Sequence, residues 1–295
     1  MIATKSSTSS VFVFDTSHNG QLPNLATPSP QFRCVGHSQE GFALEWCPHK
    51  AGRLLSGSFD GGICLWDVVQ STSDVHPLLH VPNAHKGAVE DVDWHKQYNF
   101  LFGSAGDDGH IFLWDERQNT KAPSNIMTKA HHGSDVHCLS FNSLNEFLFA
   151  SGGADGSVSL WDLRRLRTTV NNFDHLHKLD GHCAEIIALD WDPLCESRLA
   201  SGGSDRRVII WDIEKIGDEQ TTEDAEDNVP PELVFSHGGH TSRVNDVSWN
   251  PNEERFFASV DHDNGLQIWQ AVRFLLCVNF ANLNSHDPPT PLPSL

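Results

Sequence analysis

Basic residues are in short supply. The chain of 295 residues carries 20 Lys plus Arg against 39 Asp plus Glu, a formal net charge of −19. A reader of the phosphate backbone needs a basic face, so direct nucleic-acid binding is not expected. The balance suits a partner that is itself basic. Paired cysteine motifs are lacking too: seven cysteines, an odd number, are scattered without a C-x-x-C. The opening stretch MIATKSSTSS has no apolar signal core. Together these features lead to the expectation of a reducing intracellular compartment with free, mostly buried thiols. The longest late apolar run, FLLCVNF, is far too short to span a bilayer, and no membrane role is expected. No H-E-x-x-H, P-loop or G-x-S-x-G occurs. His131-His132 and His175/His177 lack the spacing of a recognised metal site. The expectation is a non-enzyme with no catalytic residues, no metal and no cofactor.

What the chain does have is a repeat. His37, Trp46, Ser56, Asp60 and Trp66 are separated by steps of 9, 10, 4 and 6 residues. The same steps recur in His85, Trp94, Ser104, Asp108, Trp114 and in His132, Phe141, Ser151, Asp155, Trp161. They recur again in His182, Trp191, Ser201, Asp205, Trp211 and in His240, Trp249, Ser259, Asp263, Trp269. A catalytic triad needs one converging set in one pocket; five copies, one per repeat, point to structure instead. Within a copy, FALEW, RLLSGS and GICLWDV read as short apolar strands. FDGG, GDDGH, GADGS and GSDRR supply tight hairpins between two of them.

A unit of about 40–45 residues with several strands and a G-H…W-D frame describes a propeller blade, and the chain resembles the WD-repeat family. GH opens the frame at Gly36-His37, Gly181-His182 and Gly239-His240. WD closes it at Trp66-Asp67, Trp114-Asp115, Trp161-Asp162 and Trp211-Asp212, with Trp269-Gln270 as the departure. The expected fold is all-β: a WD-repeat β-propeller, seven-bladed in the family, with about five and a half blades in this chain. The resemblance implies that each His, Ser, Asp and Trp set forms a buried hydrogen-bond network within its blade.

The expected domain runs over 1–270. It comprises a half blade of two strands at 1–15, with Phe14-Asp15 where WD should stand, and frames at 36–67, 84–115, 131–162, 181–212 and 239–270. The remaining blade and a half is expected to be missing or to come from another chain, leaving apolar faces and a sheet edge in water. Residues 271–295 are a divergent, Pro-rich tail expected to be disordered.

One interval breaks the rhythm. From a closing Trp to the next His the gaps are 19, 18, 21 and then 29 residues. The excess is an acidic Pro-Pro insertion at 214–235, with eight acids and one lysine between Glu214 and Glu232. The stretch IEKIGDEQTTEDAEDNVPPELVFSHGGHTSRVNDVSWNPNE resembles the MSI-like, retinoblastoma-associated WD-repeat histone chaperones. So do GHSQEGFALEWCP, LLSGSFDGGICLWDV, VEDVDWH, LFGSAGDDG and HCLSFNSLNEF. On that resemblance the chain is an N-terminally truncated member. In that family an acidic Pro-Pro loop and an N-terminal helix clasp the first helix of histone H4. The matching positions are Glu223, Asp224, Glu226, Asp227, Pro230, Pro231 and Glu232, with Leu233 and Phe235 as apolar contacts. DNVPPE stands where the family has the shorter DGPPE. Without the helix, binding of H4 is expected to be badly weakened.

A second surface follows from aligning the copies. Four residues before the first aromatic stand Phe42, Glu90, His137, Ile187 and Asn245; six before it stand Glu40, Ala88, Asp135, Glu185 and Arg243. In a propeller these positions ring the mouth of the central channel. The resemblance implies that this face receives the N-terminal tail of histone H3 and Arg/Lys-rich co-regulator peptides through Glu40, Phe42, Glu90, Asp135, His137, Glu185, Ile187 and Arg243. His137 and Ile187 stand where Asn and Phe are expected. The implied role is a histone-binding scaffold that recruits histones H3 and H4 or co-regulators to chromatin assembly, deacetylase or Polycomb-type complexes. The implied location is the nucleus, with the cytoplasm as a second one. An alternative rests on WDER (Trp114 to Arg117) and WDLR (Trp161 to Arg164). They match the W-D-x-R signature of substrate receptors for cullin-type ubiquitin ligases, with Arg117 and Arg164 as adaptor contacts.

Overall fold

The computed structural model describes residues 1–15, 29–69, 73–118, 122–128, 130–167, 175–220 and 229–270. The tail at 271–295 lies outside the described residues. Short strands dominate because the sequence alternates three- to six-residue apolar runs with turn residues, and no run is long enough for a helix to bury a face. The described helices are two short 3-10 turns, Arg165–Arg167 and Ile213–Lys215. None is long and apolar enough to cross a membrane.

Six sheets follow one another. The first holds β1 (Ile2–Lys5), β2 (Val11–Phe14) and β3 (Phe32–Cys34). The second is built from β4 (Leu44–Trp46), β5 (Arg53–Gly57), β6 (Ile63–Asp67) and β8 (Leu79–Val81). Between them in sequence, β7 (Asp74–Val75) leaves the second unit and pairs parallel with β3. Three four-stranded antiparallel sheets come next. They are β9 to β12 (Val89–Trp94, Leu101–Gly106, His110–Asp115, Asn125–Thr128), β13 to β16 (Val136–Phe141, Leu148–Gly153, Ser157–Asp162, His177–Asp180) and β17 to β20 (Ile186–Trp191, Arg198–Gly203, Val208–Asp212, Leu233–His237). The sixth has β21 (Val244–Trp249), β22 (Phe256–Asp261) and β23 (Leu266–Gln270). The architecture is an incomplete β-propeller: successive inner strands β4, β9, β13, β17 and β21 pack side by side.

Residues 1–15 form the two expected strands, β1 and β2, but the N-terminal unit is not a half blade: β3 adds a third strand and β7 a fourth. At the other end β23 is the outer strand described, and Leu266 and Ile268 are exposed on it, as expected of an open sheet. Among the described residues the core divides into clusters between adjacent sheets and is aromatic: Trp66, Trp94, Trp161, Trp191 and Trp211 are fully buried.

The repeat network holds each blade together, with two corrections. In the second frame Trp114 Nε1–H donates to Ser104 Oγ at 2.9 Å, Ser104 Oγ lies 2.8 Å from His85 Nε2, and His85 Nδ1 lies 2.9 Å from Asp108 Oδ1. The serine hydroxyl accepts from the indole and so donates to the imidazole, leaving Nδ1–H for the carboxylate. Burial would raise the Asp108 carboxyl, but hydrogen bonds from His85 and the Lys86 N–H outweigh it and hold it at about 2. In the third frame the histidine is His131, not His132: His131 lies 2.9 Å from Asp155 and 2.8 Å from Ser151. The extra residue is absorbed by left-handed backbone at His132 (φ 56) and Gly133 (φ 89). In the last repeat the acid is Asp261, not Asp263: His240 Nδ1 lies 2.9 Å from Asp261 Oδ2. Three other frames carry a glycine at the Asp261 position, and a Cβ there would sit 2.6–2.7 Å from the histidine ring. Asp261 puts its own carboxylate into that space, and Asp263 is left exposed.

The hairpin after each frame acid turns through a left-handed residue, supplied by Gly61, Gly109 and Gly156 but by Arg206 (φ 65) in the fourth frame. A residue with a Cβ is strained there. Arg206→Gly is expected to raise stability by about 1 kcal/mol, measured by urea denaturation. A loss of stability would show that the Arg206 side chain contributes more than its backbone costs.

Candidate functional site

The mouth of the channel is built by the same device in every repeat. The residue six before the aromatic gives its backbone carbonyl to the second hairpin of its own sheet. Phe59 N–H donates to Glu40 O at 2.9 Å, Asp107 to Ala88 at 3.2 Å, Ala154 to Asp135 at 3.0 Å, Ser204 to Glu185 at 2.8 Å and His262 to Arg243 at 3.0 Å. Their backbones are thus fixed, while the side chains of Glu40, Asp135, Glu185 and Arg243 stand exposed on the rim.

Two residues further on the inner strand bulges. The pairing with the next strand shifts between Ala105 and Gly106, between Val136 and Cys138, between Ile186 and Ala188 and between Val244 and Asp246. The extra residues are Glu90, His137, Ile187 and Asn245. A strand points successive side chains to opposite faces; a bulge re-aims one of them. Glu90 and Asp91 therefore both line the channel, although they are neighbours in sequence. The resulting cavity of about 780 Å³ is lined by Phe42, Glu90, His137, Glu185, Ile187 and Arg243 among others. Phe42 is 77% exposed and meets Phe59 edge-on with centroids 5.5 Å apart. Six of the eight expected mouth residues thus converge on one cavity, and Glu40 and Asp135 sit on its rim.

Below the mouth lies a belt of acids that the sequence reading did not use. In three of the five repeats the residue before the aromatic, Glu45, Asp93 or Asp190, staples one inner strand to the next. Trp94 N–H donates to Glu45 Oε2 at 2.5 Å, Phe141 N–H to Asp93 Oδ2 at 2.6 Å and Trp249 N–H to Asp190 Oδ2 at 2.8 Å. Leu139 N–H adds a bond to Asp91 Oδ2 at 2.9 Å. Lys96 sits against Glu45 at 2.6 Å and Asp93 at 2.5 Å. Glu45, Asp91, Asp93, Asp190 and Asp246 line the channel with Lys96 and Arg243 as its lysine and arginine. Burial pushes Asp91 up to about 8 and Asp190 up to about 7, despite the backbone bonds each accepts. The signal was in the text as LEW, VDW and LDW.

The acidic insertion divides. Glu223, Asp224, Glu226 and Asp227 lie outside the described residues. Its neck is closed by Gln220, whose Nε2–H donates to Val229 O at 2.7 Å. Pro230 and Pro231 are half-buried, and Leu233 N–H donates to Pro230 O at 3.0 Å. Glu232 is 5% exposed and lies 2.9 Å from His177 Nε2. Leu233 is 2% exposed, in the cluster that holds Trp211 and Val229. These two correct the expectation of outward contacts: they fasten the loop to the blade, and neither faces a partner. Phe235 packs against Trp269 of the next sheet, with ring centroids 5.8 Å apart.

Arg117 and Arg164 occupy equivalent places. Arg117 donates Nε–H and Nη2–H to Asp115 at 2.9 and 2.7 Å and lies 3.4 Å over the Phe100 ring. Arg164 does the same to Asp162, 4.6 Å over Phe147. Their side chains remain 64% and 65% exposed.

Five segments of the chain match the family described as WD domain, G-beta repeat: residues 28–67, 76–115, 124–162, 173–212 and 231–270. Each matched segment ends on the closing Trp-Asp or Trp-Gln pair and takes in a strand of the preceding sheet. The chain therefore belongs to the WD-repeat family, whose propellers serve as protein-interaction scaffolds.

Proposed function

We propose that the chain is a histone-binding WD-repeat scaffold whose channel mouth receives an Arg/Lys-rich peptide segment, the N-terminal tail of histone H3 or a basic co-regulator peptide. One observation carries the reading. Bulges on adjacent inner strands aim Glu90, His137 and Ile187 into one cavity whose rim also bears Glu40, Asp135 and Glu185. Acids there orient a cationic chain and speed its approach, while Phe42 and Ile187 supply the apolar contact that most affinity requires. The acidic insertion serves the first helix of histone H4 by helix-in-groove recognition. The scaffold role then lies in chromatin assembly, deacetylase or Polycomb-type complexes in the nucleus, and it contains no catalytic step.

Fluorescence anisotropy with labelled H3-tail and H4-helix peptides tests this at two salt concentrations. The double variant Phe42→Ala/Glu185→Gln is expected to weaken the H3 peptide roughly tenfold, about 1.4 kcal/mol, and to leave the H4 peptide unchanged. Neutralising Glu223, Asp224, Glu226 and Asp227 is expected to do the reverse. A cooperatively folded chain that binds neither peptide overturns the reading.

The exposed, ring-supported guanidiniums of Arg117 and Arg164 favour a second reading, a substrate receptor of a cullin-type ubiquitin ligase. Loss of adaptor-propeller binding in Arg117→Ala or Arg164→Ala, with histone peptides still bound, would distinguish it.

A further inference from the structure

Within the mouth, one group of side chains does not follow the repeat. Glu90 is the bulge residue of β9, His137 is the bulge residue of β13, and Asp107 belongs to the hairpin beside Glu90. Their donor atoms all lie within 4.8 Å of one another. Residues that serve the blade recur in register, as the frame histidines and serines do. These do not: the bulge positions elsewhere hold Ile187 and Asn245, and the positions matching Asp107 hold Phe59, Ala154, Ser204 and His262. Nothing in blade architecture demands two carboxylates and an imidazole at this one junction.

A further observation points to a ligand. The Nε2 atom of His137 is buried, with no hydrogen-bond partner among the described residues. Leaving a buried polar atom unpaired costs about 1–3 kcal/mol, so such atoms call for an explanation. A cation held between the Glu90 and Asp107 carboxylates would offset their charge and give the His137 imidazole a partner.

We propose that Glu90, Asp107 and His137 form a divalent-cation site at the channel mouth, of the borderline class that Zn²⁺ represents. Two carboxylates with one neutral imidazole suit such an ion. Ligand bonds of about 2.0–2.2 Å require these donors to close in slightly, which side-chain torsions can deliver. Three protein ligands leave a coordination position open, as in sites where the ion also binds water or an incoming group. The cation would make the mouth less negative, so its occupancy and the affinity for basic peptides would be inversely linked. The three ligands come from separate segments, and the bulges that aim two of them have no sequence signature.

The test uses the full chain, stripped with chelator and titrated with ZnCl₂ by calorimetry. Wild type is expected to bind one equivalent that both His137→Asn and Asp107→Asn lose, with affinity falling at least tenfold. Asp263→Asn, an exposed acid outside the cluster, serves as the control and is expected to keep it. In parallel, Zn²⁺ should raise the thermal midpoint of wild type and of the control but not of the two variants, which also shows whether the variants fold. Zn²⁺ uptake that is absent from wild type, or equal in all four proteins, overturns the proposal.

Discussion

Trp211→Ala is expected to lower the stability of the chain by about 3–5 kcal/mol and to free the acidic insertion. Trp211 is fully buried, and its Nε1–H donates to Ser201 Oγ at 2.8 Å. Ser201 Oγ lies 2.7 Å from His182 Nε2, which continues to Asp205. Removal of the indole therefore opens a cavity and takes a donor from a buried network. The same side chain packs with Val229 and Leu233, the two apolar residues that return the insertion to the blade. Whole domains are stable by only about 5–15 kcal/mol, so the loss should be plain in urea denaturation followed by circular dichroism. Trp211→Phe separates the two contributions, because it keeps most of the volume and loses only the donor; about 1–2 kcal/mol is expected. Limited proteolysis between Gly217 and Val229 should be faster in Trp211→Ala than in Trp211→Phe. A loss under 1 kcal/mol in the alanine variant would mean that the indole is not what ties the loop to the blade.

That coupling gives the WD frame a second task in this chain. The frame was legible because four residue types recur at fixed steps, and fixed steps survive wherever strand length and hairpin length do not change. It misread two positions, for two reasons. At His131-His132 both residues fit the residue type, and only the left-handed turn at His132 and Gly133 decides which one reaches Ser151. At Asp261 and Asp263 the register of four was kept in the text, while the carboxylate two residues earlier took the histidine.

The mouth was legible as positions and not as geometry. Counting four and six back from the aromatic found the rim, because every copy has the same hairpin contact to the residue six before. Asp107 escaped that count, since it sits on the hairpin itself and its counterparts Phe59, Ala154 and Ser204 have no chemistry in common with it. The belt escaped for the opposite reason. An acid before Trp looks like an ordinary solvated strand residue, and only the neighbouring inner strand turns it into an acceptor for Trp94, Phe141 or Trp249. The first sheet's β3 and β7 carry too few residues to show a period at all.

The belt also sets how stability should depend on pH. Asp190 lies in the channel wall, where burial, partly offset by the Trp249 N–H and by Lys96, pushes its carboxyl up to about 7 from an ordinary value near 4. A carboxyl raised in the folded state is protonated there while the unfolded chain is already ionised. Its contribution is complete below about pH 4 and is lost as pH rises to about 7. Each pH unit in that window costs about 1.4 kcal/mol per proton. Asp108 has its carboxyl held at about 2, so its contribution is lost only as pH falls through the range from about 4 to 2. Asp190→Asn keeps an oxygen for the Trp249 N–H and has no proton to lose. The variant should match wild type near pH 4.5, where Asp190 is neutral in the fold, and exceed it progressively up to pH 8. Urea midpoints at pH 4.5, 6, 7 and 8 read this directly. The slope of stability against pH should be shallower in the variant by close to one proton between pH 5 and 7. Parallel curves would mean that Asp190 is ionised in the folded chain, and that Lys96 and the backbone hold its charge after all.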